Sequence, residues 1–176
     1  MGSRCRSYAY CSITFFIQFL KLGGRFDPWV EDCPLYYSSN NSPEKVDVLG
    51  SLFLSILSGH TRYAHLTNLM SDRVNSKLLG MNKIVSEDSA RIALRRINES
   101  AGIEWLEEHL QSSYEPLLKT PWILDVDVTV KPLYGKQEGA KRGYNPQNPG
   151  RPSHTYHTYM MANLRLILEV EVQSGD

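Results

Sequence analysis

Hydrophobic residues recur at intervals of three and four positions through the first part of the chain, a spacing that predicts helices. One predicted helix begins at Ser42, as its N-cap, and ends at Gly59. Others are predicted over residues 63–70, from Ser86 as N-cap, and over residues 103–111. Apolar residues lie on most of the circumference of the first of these helices, which therefore belongs in the core.

From residue 122 onward the period of the pattern changes to two, which predicts strands over residues 122–130, 155–161 and 165–172. Residues 131–152 between the first two strands are rich in glycine and proline and predict a long loop. In the last strand the two alternating sets are Leu166, Leu168, Val170 and Val172 against Ile167, Glu169 and Glu171. The coarse prediction is an α+β fold, with a helical region followed by a strand, a loop and a hairpin.

Length and composition describe an ordinary globular chain. At 176 residues it is one domain, or one domain and the opening piece of another. Hydrophobic residues are 41% and charged residues 22%, which excludes a disordered tail, a collagen and a coiled coil. Three cysteines cannot all pair with one another, so a reduced, cytoplasmic compartment is the simpler interpretation.

An apolar run over residues 13–20 follows Arg4 and Arg6, as in a signal peptide. Thr14 and Gln18 interrupt it, and the run is too short to span a bilayer. A buried helix is therefore favoured over a targeting segment, and no membrane partner is expected.

The formal net charge is +0, but the charges are unevenly distributed. Residues 103–127 carry six acids against one base, and residues 131–151 carry five bases against one acid. The basic part holds Lys136, Lys141, Arg142 and Arg151 among Tyr134, Tyr144 and Asn145. Such residues supply phosphate contacts and rings for stacking on bases. A solubilising surface loop is the alternative, although a structureless loop this long is more often functional.

Asp125 and Asp127 stand two residues apart in the first predicted strand, so their carboxylates point to the same side. A hard divalent cation such as Mg²⁺ is the usual neutralising partner of such a pair. A solvated acidic face on an edge strand is an equally good interpretation of the spacing alone.

Three arginines follow the Ser86 N-cap, namely Arg91, Arg95 and Arg96. They would suit the recognition helix of a helix-turn-helix, where they would contact DNA. A solvated arginine face on a packing helix explains them at least as well.

Several motifs together resemble DDE-type transposases of bacterial insertion sequences. In residues 121–172 they are D-V-D-V-T, Y-G-K-Q-E-G-A, G-Y-N-P and P-G-R-P-S-H. Upstream, S-G-H-T-R-Y-A-H-L and S-E-D-S-A-R-I-A-L-R-R-I are similar to the helical part of the same proteins. The resemblance covers residues 26–176, with a helical, DNA-binding region over 26–120 and the start of the catalytic domain over 121–176. Residues 1–25 stay unassigned.

The resemblance implies a ribonuclease H-like catalytic domain whose first three strands are consecutive and antiparallel. Asp127, followed by Val128 and Thr129, fits the first catalytic aspartate and would be a metal ligand; Asp125 would be a neighbour. In the complete family member two ions of Mg²⁺ or Mn²⁺ would support DNA cleavage and strand transfer. The implied partners are the terminal repeats of the element, target DNA and, for the complete protein, a second copy in a homodimer.

The family also uses a second aspartate and a glutamate from later elements, and this chain ends at Asp176, directly after the third strand. The expectation is therefore the opening part of a truncated ribonuclease H-like domain, inactive alone and holding no metal firmly. Two alternatives stay open: a non-catalytic DNA-binding fragment that regulates intact transposase, and a nuclease whose site is completed by a partner chain.

Overall fold

The computed structural model describes residues 5–39, 41–119 and 121–176, with side chains from residue 12 onward. These residues form helices followed by a three-stranded antiparallel sheet, which confirms the α+β prediction. The chain divides into two compact units, Met1–Trp105 and Leu106–Asp176. The predictions that involved Arg4, Arg6 and the first two of the three cysteines, Cys5 and Cys11, fall outside the described side chains.

The helices of the described ranges are α1 (Cys5–Leu22), α2 (Phe26–Glu31), α3 (Lys45–Leu57), α4 (Arg73–Leu78), α5 (Glu87–Leu94) and α6 (Glu99–Tyr114). Two 3-10 helices cover Tyr63–Leu69 and Glu115–Leu117. None of these helices combines the length and the apolar character that crossing a bilayer requires.

The helix predicted over residues 13–20 exists within α1, but only one side of it is buried. Ile17 is fully buried, whereas Phe15, Phe19 and Leu22 are exposed. The prediction of a buried helix was therefore wrong for most of its surface.

The first unit has a continuous hydrophobic core formed by the first five helices, the Tyr63–Leu69 helix and the beginning of α6. Its centre includes Leu54 of α3 and Leu66, both with almost no exposed surface. Trp105 stacks on Trp29 with ring centroids 5.1 Å apart and donates from Nε1 to the Trp29 carbonyl oxygen over 2.9 Å. An indole that is both packed and hydrogen-bonded fixes the start of α6 to the region of α2.

One side of α3 is polar and nevertheless buried. The Asp47 carboxylate accepts from the backbone amides of Asn82 and Lys83 at 2.7 and 3.3 Å, and Ser51 Oγ accepts from the Val85 amide at 3.0 Å. Gly50 lies between them, where an added Cβ would come within 2.5 Å of Met81 Sδ. This face of α3 thus holds residues 81–85, the segment that leads into α5.

The two helix starts that rested on an N-cap had different outcomes. Ser86 caps α5 as predicted, because its Oγ accepts from the Ser89 amide at 3.2 Å. Ser42 does not cap α3; the helix begins at Lys45, after Glu44 in an extended conformation. Pro43 disfavours helical geometry at the residue before it, and here the chain does not turn helical directly after the proline either.

The strands are β1 (Leu124–Pro132), β2 (Ser153–Met161) and β3 (Leu166–Ser174), in the spatial order β1-β2-β3. All three lie within two residues or so of the predicted ranges. Between β2 and β3 the register shifts: Tyr159 is opposite Glu169, and Met160 is opposite Ile167. Leu168 is therefore an extra residue, a β-bulge, and the strict alternation predicted for β3 was wrong on its N-terminal side.

Candidate nucleic-acid interface

The strand register decides which side chains share a face with the candidate catalytic aspartate. Asp127 is opposite Thr158 of β2, which in turn is opposite Val170 of β3. Residues directly opposite one another in antiparallel strands project to the same side. Asp125 belongs to the same face by alternation, whereas Glu171 is opposite His157 and belongs to the other face.

Asp127 is exposed in the middle of β1, and its Oδ2 accepts a hydrogen bond from Thr129 Oγ1 at 3.1 Å. Asp125 is exposed as well. Within the part of the chain that the structure describes, no three acidic, histidine or cysteine side chains form a metal-binding group. This face accordingly presents two solvated carboxylates.

The loop predicted over residues 131–152 is present as residues 133–152 and is tied down by its own backbone. Leu133 donates its amide to the Pro152 carbonyl at 2.9 Å, which extends the hairpin beyond the strand ends. The Ser153 amide donates to the Lys141 carbonyl at 2.9 Å, and His154 Nε2 contacts the Glu138 carbonyl at 2.9 Å. We name residues 133–152 the basic loop.

Two glycines bring the basic loop against the end of β3. A Cβ added at Gly143 would overlap the carbonyl group of Gly175, and one added at Gly175 would overlap Ser153. Only a residue without a side chain permits such an approach of two backbones. The position of the loop therefore depends on direct backbone packing as well as on hydrogen bonds.

The four predicted cations of the basic loop are all exposed, but they differ in their partners. Lys141 Nζ forms an ion pair with Asp176 Oδ2 at 2.8 Å, and the Arg151 guanidinium lies 4.4 Å from the centroid of the Tyr134 ring. Lys136 and Arg142 form no ion pair or side-chain hydrogen bond within the described ranges. They are the loop cations most available to a phosphate.

The Lys141 ion pair has an electrostatic consequence for its partner. Hydrogen bonds from Lys141 and Ser174 lower the pKa of the Asp176 carboxyl below its ordinary value. The Asp176 carboxylate therefore stays charged to a lower pH than an ordinary carboxyl group does, and it competes with an added anion for Lys141.

The three arginines near α5 belong to the first compact unit, whereas the basic loop belongs to the second. Arg91 pairs with Glu87 at 2.7 Å and lies 4.8 Å from the Tyr63 ring, and the Arg96 guanidinium lies 5.6 Å from the Tyr37 ring. Arg95 is the C-cap of α5 and is exposed. Two of the three guanidinium groups therefore already have partners within the protein.

The helix spacing bears on the helix-turn-helix interpretation. α4 ends at Leu78 and α5 begins at Glu87, a connection longer than the three- or four-residue turn of that motif. The shorter connection, from Leu94 to Glu99, would make α6 the recognition helix. α6 carries four glutamates and no lysine or arginine, and such a helix would be repelled by phosphate.

The structure also buries polar groups at the loop, which the sequence did not predict. Asn145 is buried, and its Oδ1 accepts from the Asn148 amide at 3.1 Å. Asn145 Nδ2 and Ser153 Oγ are buried with no hydrogen-bond partner among the described residues. The G-Y-N-P motif gave a signal for this asparagine, but nothing in the sequence distinguishes a buried amide from an exposed one.

Comparisons with protein-family models, with curated proteins and with solved structures find no match to this chain.

Proposed function

We propose that the protein binds DNA in the manner of a DDE-type insertion-sequence transposase, and that the basic loop contacts the phosphates. The proposed location of the protein is the cytoplasm. The sheet would be the opening of a ribonuclease H-like domain, and Asp127 the first catalytic aspartate. The observation that carries the proposal is the pair of exposed cations without intramolecular partners, Lys136 and Arg142, on a loop that leads directly from the Asp127 strand.

The anchoring of the basic loop supports a binding role over a purely solubilising one. A surface that only needs solvated charge does not require backbone hydrogen bonds at Leu133 and Ser153 or the close packing of Gly143 on Gly175. A loop that must present cations at fixed positions benefits from such anchoring, since less conformational entropy is lost on binding. The Arg151–Tyr134 contact adds a ring and a planar cation to the same surface.

The pair of Mg²⁺ or Mn²⁺ ions expected for the complete family member would need ligands of its own, apart from the cations that contact DNA. Asp125 and Asp127 are two residues apart, about 7 Å along an extended strand. Two catalytic metal ions about 3.5–4 Å apart need several shared oxygen ligands, more than these two carboxylates provide. The described residues therefore do not fit a metal pair by themselves, and Asp127 would act as a catalytic ligand only together with the further acidic residues of a complete family member.

The test is the salt dependence of DNA affinity, measured by fluorescence anisotropy on a labelled duplex. Each neutralised phosphate contact contributes about 0.9 to the slope of log K against log salt. The double variant Lys136→Ala/Arg142→Ala should therefore flatten the slope by about 1.8, and equally for unrelated sequences. Lys141→Ala should change it less than Arg142→Ala does, because Lys141 also has Asp176 as a partner.

The matched control is Lys77→Ala/Lys83→Ala, which removes the same charge from two exposed lysines of the first unit. An equal loss of slope in this control would show that net charge, and not the basic loop, governs binding. Undetectable DNA binding by the wild-type chain at low salt would contradict the proposal itself.

A further inference from the structure

Two histidines lie side by side in the first unit, outside the surface proposed to bind DNA. His60 follows the C-terminus of α3, and His65 is in the Tyr63–Leu69 helix, which packs on α3. Their rings have centroids 5.2 Å apart with an interplanar angle of 67°. Both side chains are partly buried, so the pair is neither a core contact nor a fully solvated one.

The backbone around His60 is fixed by the end of α3. The Gly59 amide donates to the Ile56 carbonyl at 2.9 Å, and the His60 amide donates to the Ser55 carbonyl at 3.0 Å. Gly59 has φ 74°, which completes a Schellman motif with His60 directly after the left-handed residue. His65 is held by a bond from its amide to the Arg62 carbonyl at 3.0 Å.

The ring nitrogens have unequal surroundings. His60 Nδ1 is 3.1 Å from the hydroxyl of Ser55, which is itself buried. With the proton on Nδ1 donated to that hydroxyl, the lone pair is left on Nε2. His65 Nδ1 is buried and has no hydrogen-bond partner in the described part of the chain. A buried nitrogen without a partner is costly and calls for an explanation.

The separation of the rings is one that an edge-to-face ring contact and shared metal ligation have in common. A nitrogen about 2.0 Å from zinc puts each imidazole centroid about 3.2 Å from the ion, and a tetrahedral angle then separates two centroids by about 5.2 Å. We propose that His60 and His65 bind one divalent transition metal ion of the Zn²⁺ class, with water in the remaining positions. Imidazole is a preferred ligand for such ions. Ser55 would orient His60, as hydrogen-bonded groups behind metal ligands commonly do.

The site differs from a closed structural zinc site, since no third histidine, cysteine or carboxylate joins it among the residues that the structure describes. The same absence leaves coordination positions open for exchangeable water. Binding should consequently be reversible and weaker than that of a four-ligand structural site.

The test titrates Zn²⁺ into the full chain, without an affinity tag, by isothermal titration calorimetry. One equivalent should bind, and His60→Gln or His65→Gln should each weaken binding by at least about tenfold, since loss of a group behind the ligands alone costs 10–100-fold. Ser55→Ala should weaken it by about tenfold. His109→Gln, which replaces a histidine of α6, is the matched control and should bind as the wild type does.

X-ray absorption at the zinc edge of the wild-type chain keeps the test independent of variant folding. Two imidazole nitrogens at about 2.0 Å support the site, whereas sulfur at about 2.3 Å would assign the ion to cysteines. Such sulfur ligation, no binding, or unchanged affinity in both histidine variants would overturn the proposal and leave the pair as an edge-to-face ring contact.

Discussion

Replacing Ser51 by alanine removes the hydroxyl that joins α3 to the segment before α5. Ser51 is fully buried, accepts from the Val85 amide at 3.0 Å and donates to the Asp47 carbonyl at 2.6 Å. The bond to Val85 connects residues 34 positions apart, whereas the bond to Asp47 stays within one helical turn. The variant therefore tests a tertiary contact with a change of a single oxygen atom.

The magnitude follows from what is left behind. Val85 is itself buried, so its amide would lose its partner without gaining water, which costs about 1–3 kcal/mol. Alanine is the better helix former, which offsets up to about 0.5 kcal/mol of this loss of stability. The bond within the turn contributes little, because serine bonding to the preceding turn slightly disfavours a helix. The free energy of unfolding should fall by about 1–2 kcal/mol.

Urea denaturation followed by tryptophan fluorescence measures this change, since Trp29 and Trp105 both belong to the core of the first unit. Hydrogen exchange at the Val85 amide locates it, because that amide should lose protection more than the core of α3 does. Ser113→Ala, at an exposed position of α6, is the control and should lie within about 0.5 kcal/mol of the wild type. Unchanged stability with full protection at Val85 would refute the assigned bond.

Two further predictions concern the same unit. Gly50→Ala should lower the free energy of unfolding by about 1–3 kcal/mol in urea denaturation, because the new Cβ would displace Met81. In the double variant Gly50→Ala/Met81→Ala this clash is absent, so the loss of stability should be smaller than the sum of the two single losses. A double variant whose loss equals that sum would argue against the clash. Burial raises the pKa of the Cys33 thiol above its ordinary value. The stabilisation that comes from keeping this thiol protonated is fully present below the unfolded-state pKa, and it is lost as the pH rises through the folded-state pKa. The free energy of unfolding should therefore fall less with rising pH in Cys33→Ala than in the wild type. An equal pH dependence of unfolding in the two proteins would contradict the raised pKa.

Patterns that depend on local chemistry were predicted in part: the Ser86 cap is confirmed, whereas the Ser42 cap was wrong. The Ser86 cap needs only a serine, a nearby amide and the start of a helix, and all three are local in sequence. The period of two gave three strands close to their observed bounds. The polar face of α3 was not predicted, because the burial of Asp47 and Ser51 depends on amides more than thirty residues away.

The candidate site divides in the same way. The sequence located the cations of the basic loop, but only the fold separates Lys136 and Arg142 from Lys141, whose partner Asp176 comes 35 residues later. Arg91 is engaged by Glu87 one turn before it, a pairing that helical spacing could have predicted. The spacing of His60 and His65 in the sequence indicates no ligand geometry, because ring orientation and the Schellman turn are not visible in residue spacing.

The bulge at Leu168 has a consequence for how the chain tolerates changes in length. Deleting Leu168 would leave Ile167 opposite Met160 and Glu169 opposite Tyr159, so all the remaining side chains of β3 would keep their faces. Deleting Val170 instead would send the residues on one side of the gap to the opposite face. Among proteins descended from a common ancestor with this chain, single-residue gaps in β3 should therefore concentrate at position 168, where an inherited insertion or loss leaves the two faces of the sheet unmixed.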